Sequence, residues 1–151
     1  MIVGKVMENS IEAILRGGQF KKLIENALTE IRNTTNLKRV EIEVIYFLYR
    51  CHEHNTMTDI CHHLQMNKGH ISIAMDNLCK KAYVTQQQDS DDRRYVHYTL
   101  TDEAVGIAKQ IHAAWEKMSE MLMAGVEEED LKVFEKVSEQ IGRNIESILK
   151  K

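Results

Sequence analysis

Apolar side chains recur at helical spacing along most of this chain, and the places where the spacing fails divide it into elements. Residues from about 2 to 31 set Ile11, Ile14, Leu15, Phe20, Leu23, Ile24, Ala27, Leu28 and Ile31 on one face, which predicts a long first helix with Gly17 and Gly18 as its bend. A second helix is expected from about 38 to 52 around Val44, Ile45, Leu48 and Tyr49, ending where the polar run HEHN begins. Thr56 then opens a short helix: its hydroxyl caps the first turn and Asp59, three residues on, reaches back to it. Met57, Ile60, Cys61 and Leu64 form the apolar side of that helix. After the turn QMN, residues from about 68 to 82 place Ile71, Ala74, Met75 and Leu78 inward and Lys68, His70, Ser72, Ile73, Asp76, Asn77 and Lys80 outward.

The period then changes. YVTQQQ and YVHYTL are short runs rich in Tyr, Val and Thr, and DSDDRR between them reads as the charged tip of a β-hairpin with Arg93 and Arg94 on it. Thr101 caps a further helix of about 102 to 123, and EEED at 127 to 130 opens a last one whose Phe134, Val137, Ile141, Ile145 and Ile148 make a nearly heptad seam. Two short helices followed by a hairpin predict a mainly α chain with a small β-hairpin wing, a winged helix-turn-helix. In such a fold the second motif helix offers its side chains to base edges in the major groove, and an arginine at the wing tip suits the narrower minor groove.

Composition supports that class and removes others. The 151 residues include no proline and 7 glycines, which leaves long helices unbroken and disfavours a turn-rich β fold. No apolar run approaches the roughly 20 residues of a membrane span, and Lys5 and Glu8 fall where a signal peptide needs its apolar stretch, so a cytoplasmic protein is expected. The net charge is -3. Residues 37 to 100 hold eight basic and eight acidic groups, so DNA binding has to be argued from motif and geometry rather than from a basic footprint.

The stretch CHEHNTMTDICHHL, residues 51 to 64, invites a metal reading. His62 and His63 are adjacent, however, and point about 100° apart on a helix, so one ion cannot take both together with Cys61 without distortion. No metal and no cofactor is expected. Cys51, Cys61 and Cys79 are expected to be reduced thiols, and Cys51 beside His52 and His54 lacks the oxyanion loop a Cys/His hydrolase needs, so no enzyme is expected either.

The segment DSDDRRYVHYTLTDEA resembles the wing signature of the MarR family of dimeric winged helix-turn-helix regulators, an Asp-x-Arg followed six residues later by Leu-Thr. Asp92 and Arg94 match the first pair, Leu100 and Thr101 the second. TDICHHL and HISIAMDNLCKKAYV are similar to the family's first motif helix, recognition helix and entry to the wing. Ala82 stands where that turn usually has glycine, while Ile73, Asn77 and Gln86 stand where relatives often carry arginine or another basic residue.

The resemblance implies a homodimer formed by the N- and C-terminal helices. Residues of about 37 to 100 would be the DNA-binding lobe, and about 1 to 36 and 101 to 151 the dimerisation helices of a single domain. The partner implied is double-stranded DNA, a pseudo-palindromic operator, and the function that of a transcription repressor relieved by a small-molecule effector. Lys68, His70, Ser72, Ile73 and Asn77 would face the major groove; Arg94, oriented by Asp92 and accompanied by Arg93, would serve the minor groove. The alternatives are a winged helix used for protein contacts and a metal- or thiol-responsive regulator working through residues 51 to 63. His112 and Trp115, one turn apart, are expected in the core rather than at an effector. Six of the seven histidines lie between residues 37 and 100, so operator affinity is expected to rise as pH falls, with His70 the best placed to cause it.

Overall fold

The computed structural model describes residues 18–150, so Ile11, Ile14, Leu15 and Gly17 of the expected first helix lie outside the described residues. From Gly18 on, that helix appears as α1 (Gly18–Ala27) and α2 (Thr29–Thr35). The break falls at Leu28, whose φ of -96° and ψ of 0° leave the helical region. A competing bond marks the spot: the Thr29 hydroxyl donates to the Glu25 carbonyl at 2.8 Å, the back-bonding that bends helices.

Asn36 closes α2 in the left-handed conformation, and α3 (Arg39–Arg50) follows. Next come α4 (Met57–Leu64) and α5 (Lys68–Lys80), joined through Gln65, which is also left-handed. The expected cap of α4 is present in full. The Asp59 amide donates to the Thr56 hydroxyl oxygen at 3.3 Å, and the Thr56 amide and hydroxyl both donate to the Asp59 carboxylate, at 3.0 and 2.6 Å. Strands β1 (Val84–Gln88) and β2 (Val96–Leu100) pair antiparallel with Val84 opposite Leu100 and Gln88 opposite Val96. Helices α6 (Asp102–Leu122) and α7 (Glu128–Leu149) complete the described chain.

Two compact units divide the chain, one ending at Glu116 and the other beginning at Lys117. The first contains the core. Ile42, Ile45, Ile60, Ile71, Met75 and Leu78 are fully buried there, joined by Val84 and Tyr98 from the hairpin and Ile107 and Ile111 from α6. Each such side chain stabilises the fold by about 1.5–3 kcal/mol relative to exposure. The inward stripe expected on α5, Ile71, Ala74, Met75 and Leu78, is buried at every position. In the second unit α7 buries none of its residues, and Phe134, Val137, Ile141, Ile145 and Ile148 lie exposed. No helix among the described residues is long and apolar enough to cross a membrane.

Candidate nucleic-acid interface

Asn67 sets the start of α5. Its side-chain oxygen accepts the His70 amide at 3.0 Å, and its amide nitrogen lies 3.3 Å from His70 Nδ1, so the imidazole is drawn back over the helix N-terminus. Lys68 and His70 are exposed and Ser72 is half-buried. Ile73 is 60% exposed in the middle of an otherwise polar face. An uncovered isoleucine there has the chemistry to meet a thymine methyl group.

Asn77 departs from the expectation that it faces outward to bases. It is half-buried and its amide donates to Glu41 Oε1 at 3.1 Å. Glu41 is the one buried charged residue among the described ones, and a carboxylate out of water has to be met from several sides. The Lys38 amide donates to it at 2.9 Å and the Lys81 ammonium stands 3.4 Å away. Asn77 therefore ties α5 to the start of α3 through one of its amide hydrogens.

The wing is shaped by its aspartates. Asp89 Oδ1 accepts the amides of Asp91 and Asp92 at 2.8 and 2.9 Å, closing the turn, and these bonds together with His97 lower its pKa to about 2. Gln88 adds a bond from its side-chain amide to the Arg93 carbonyl at 2.6 Å. The Arg94 guanidinium grips Asp92 with Nε at 3.0 and 3.1 Å and Nη2 at 2.7 Å, while the Arg94 amide donates to the same carboxylate at 3.0 Å. That grip holds the Asp92 carboxyl below the ordinary range and raises the arginine. The Arg94 side chain is nonetheless 84% exposed, so the pair orients it without covering it. Arg93 is exposed as well.

Helix and wing meet in a cleft of about 630 Å³ whose walls include Thr58, His62, Lys68, Arg94 and Tyr95. Of the residues expected from sequence, this cleft brings Lys68 and Arg94 together. Thr58, His62 and Tyr95 were not anticipated, and only the exposed turns of α4 and the aromatic residue beside the wing tip hinted at them. Ala82, at the entry to the wing, adopts φ +58°, the left-handed conformation that glycine takes without penalty.

The Cys/His-rich stretch is dispersed by the fold. His63 stacks on Phe47 with ring centroids 4.4 Å apart, and no group of three metal-ligating side chains forms among the described residues. Cys51, Cys61 and Cys79 are free and half-buried, and burial raises the Cys79 thiol away from the reactive thiolate. His112 Nδ1 lies 3.0 Å from the Tyr46 hydroxyl. A separate cleft of about 360 Å³ is lined by Ile24, Leu28, Phe47, Ile111 and Trp115, with Arg39 and Arg50 among its polar members. Trp115 thus lines a cavity, against the expectation that it would be core alone.

A family model described as a winged helix DNA-binding domain matches residues 37–104. No curated protein is matched by the chain. Among solved structures it is similar to a MarR protein from Peptoclostridium difficile, at 20% identity over 89% of this chain and 88% of that one, with a TM-score of 0.75. It is also similar to FabT of Streptococcus pneumoniae in complex with DNA, at 20% identity over 91% and 96% of the two chains, with a TM-score of 0.74. A MarR transcriptional regulator of Methanosarcina mazei covers 97% of this chain and 98% of its own at 19% identity and a TM-score of 0.71. At such identities the likeness is one of fold, and the fold of this chain is the winged helix of the MarR-type regulators.

Proposed function

We propose that this chain is a sequence-specific DNA-binding transcription regulator of the cytoplasm, a homodimer whose two lobes read a pseudo-palindromic operator, and not an enzyme. One observation carries the reading: an exposed arginine, aimed by a bidentate carboxylate, opens onto the same cleft as Lys68 at the start of α5. Arginine in that setting serves the minor groove while Lys68, His70, Ser72 and Ile73 address the major groove. FabT, whose fold this chain shares, is in complex with DNA, which supports the same partner here.

The dimer rests on α7, whose exposed seam repeats nearly every 3.5 residues and so suits a second helix of the same kind. Residues 37 to 100 act as the binding lobe, with the flanking helices joining the protomers. The cleft beside Trp115 is the place for an effector, one with an apolar body for Phe47 and Trp115 and a polar edge for Arg50 and the Arg39–Glu43 pair. An effector seated there would relieve repression by favouring one spacing of the two lobes over another.

Selection of bound sequences from random duplexes, followed by titration of the winning duplex, tests the reading. Arg94→Ala is expected to weaken binding by about 1–3 kcal/mol while leaving stability within about 0.5 kcal/mol. Unchanged affinity with an unchanged salt dependence would make the wing a solvated turn and remove the proposal's main support.

A further inference from the structure

His97 sits on β2 between two parts of the lobe that are distant in sequence. Its Nδ1 is 2.6 Å from Asn55 Oδ1 in the loop before α4, and its Nε2 is 2.9 Å from Asp89 Oδ2 at the base of the wing turn. A neutral imidazole carries one N–H and donates to one of two oxygens; the imidazolium donates to both. A neutral ring that kept its proton on Nε2 for Asp89 would need the Asn55 amide turned over. The backbone reinforces the junction, since the Tyr98 amide donates to the Asn55 carbonyl at 3.0 Å and Thr56 bridges His97.

Two carboxylates lie near this ring. Asp89 faces it from the wing, its carboxyl lowered to about 2 by the Asp92 amide, by His97 itself and by the Asp91 amide, so it is ionised near neutral pH. Asp59 faces it from α4; the Thr56 hydroxyl holds that carboxyl low, with smaller help from His54 and His97. His54 is the other titratable group at this junction, and the cross-strand neighbour Gln87 is uncharged.

We propose that His97 is a positioning residue for DNA binding: in its protonated form it braces the wing, through Asp89, to the loop that leads into the helix-turn-helix, through Asn55. The same Asp89 carboxylate closes the turn from which Asp92 and Arg94 project, so the state of the imidazole reaches the arginine through one side chain. At low pH the ring donates to both oxygens; once it loses a proton the second bond is kept only if the Asn55 amide turns over, and the brace weakens while the backbone contacts remain. The brace is a property of the free protein, and only its consequence for DNA rests on the function proposed above.

The test has two arms. In the first, the free full-length protein is titrated by NMR, following the ring nitrogens of His97 and the amides of Asp91, Asp92 and Arg94. The expected result is that both ring nitrogens and these amides move in one transition in the histidine range. The same amides should be flat in His97→Gln, which keeps a polar side chain that does not titrate. Asp89→Asn, which can still accept the turn amides, should uncouple the amides from the ring. Wing amides that ignore the His97 transition, or that keep their pH dependence in His97→Gln, would overturn the proposal. In the second arm, affinity for a duplex of mixed sequence is measured at pH 6 and pH 8 at fixed ionic strength. The wild type should lose roughly two- to fivefold more affinity over this interval than His97→Gln, the range of a partly exposed ion pair. Equal loss in both proteins would show that the brace does not position the wing for DNA. A wing that titrates as expected in a protein that binds no duplex at either pH would leave the brace standing and overturn the DNA-binding reading instead.

Discussion

Helices α3 and α7 both carry apolar residues at three- and four-residue spacing, yet they end in opposite situations. In α3 the positions Ile42, Val44, Ile45, Phe47 and Leu48 are buried within the lobe, whereas α7 buries nothing along its 22 residues. Periodicity therefore states that a face wants cover and is silent on who provides it. Within the lobe the cover comes from α5 and the hairpin of the same chain. For α7 it is the second copy proposed above, because an exposed apolar seam of five residues is more than a monomer ordinarily leaves in water.

The difference predicts two kinds of destabilisation. Ile60→Ala, at a fully buried site of the lobe, is expected to cost about 2–5 kcal/mol at any protein concentration, as read from urea unfolding. Ile145→Ala should instead have an effect that depends on concentration, lowering the fraction of dimer in light scattering at micromolar protein and leaving the lobe core intact. If Ile145→Ala destabilises equally at all concentrations, α7 is covered within its own chain and the comparison collapses. Inside the lobe, Asn77→Ala sharpens the picture by removing a bond to a buried carboxylate, with an expected loss of about 1–2 kcal/mol in stability. Unaltered stability with a fall in duplex affinity would return Asn77 to the outward face. The smallest change has the opposite sign: Ala82→Gly relieves a left-handed alanine and should add about 0.5–1 kcal/mol, visible as a rise in Tm of a few degrees.

Those residues also mark how far the sequence could be read. The Thr56 and Asp59 cap, the inward stripe of α5 and the seam of α7 are legible because each depends on neighbours three or four positions apart, and the hairpin because two β-rich runs flank one short charged turn. Asn77 was misplaced on the outer face because its partner Glu41 is 36 residues earlier, and nothing local announces that a glutamate at the first turn of α3 will be buried. The break at Leu28 is not legible for another reason: no glycine or proline marks it, and what accompanies it is the Thr29 hydroxyl bonding backward to Glu25. At the interface, Lys68 and Arg94 could be named from their elements, but His62 and Tyr95 reach the same cleft only through the packing of α4 against the wing. From sequence His97 is only one of six histidines between residues 37 and 100, because its two partners are 42 and 8 residues away.

The grip of Asp92 on Arg94 has a thermodynamic consequence for salt. A lone cation that neutralises a phosphate displaces a condensed counterion, and each such event adds about 0.9 to the slope of log affinity against log salt. Arg94 arrives with its own carboxylate attached, and the segment from Asp89 to Arg94 carries three acids against two arginines. On the proposed interface the wing would therefore release few ions when it docks, and its contribution would come from fit within a narrow groove. Lys68 has no such companion within hydrogen-bond distance among the described residues, so on the proposed interface its charge would count in full toward counterion release at the major groove. In the proposed complex, contacts of the Lys68 kind would fade first as ionic strength rises, and the wing would become the larger share of what still holds the protein to its site.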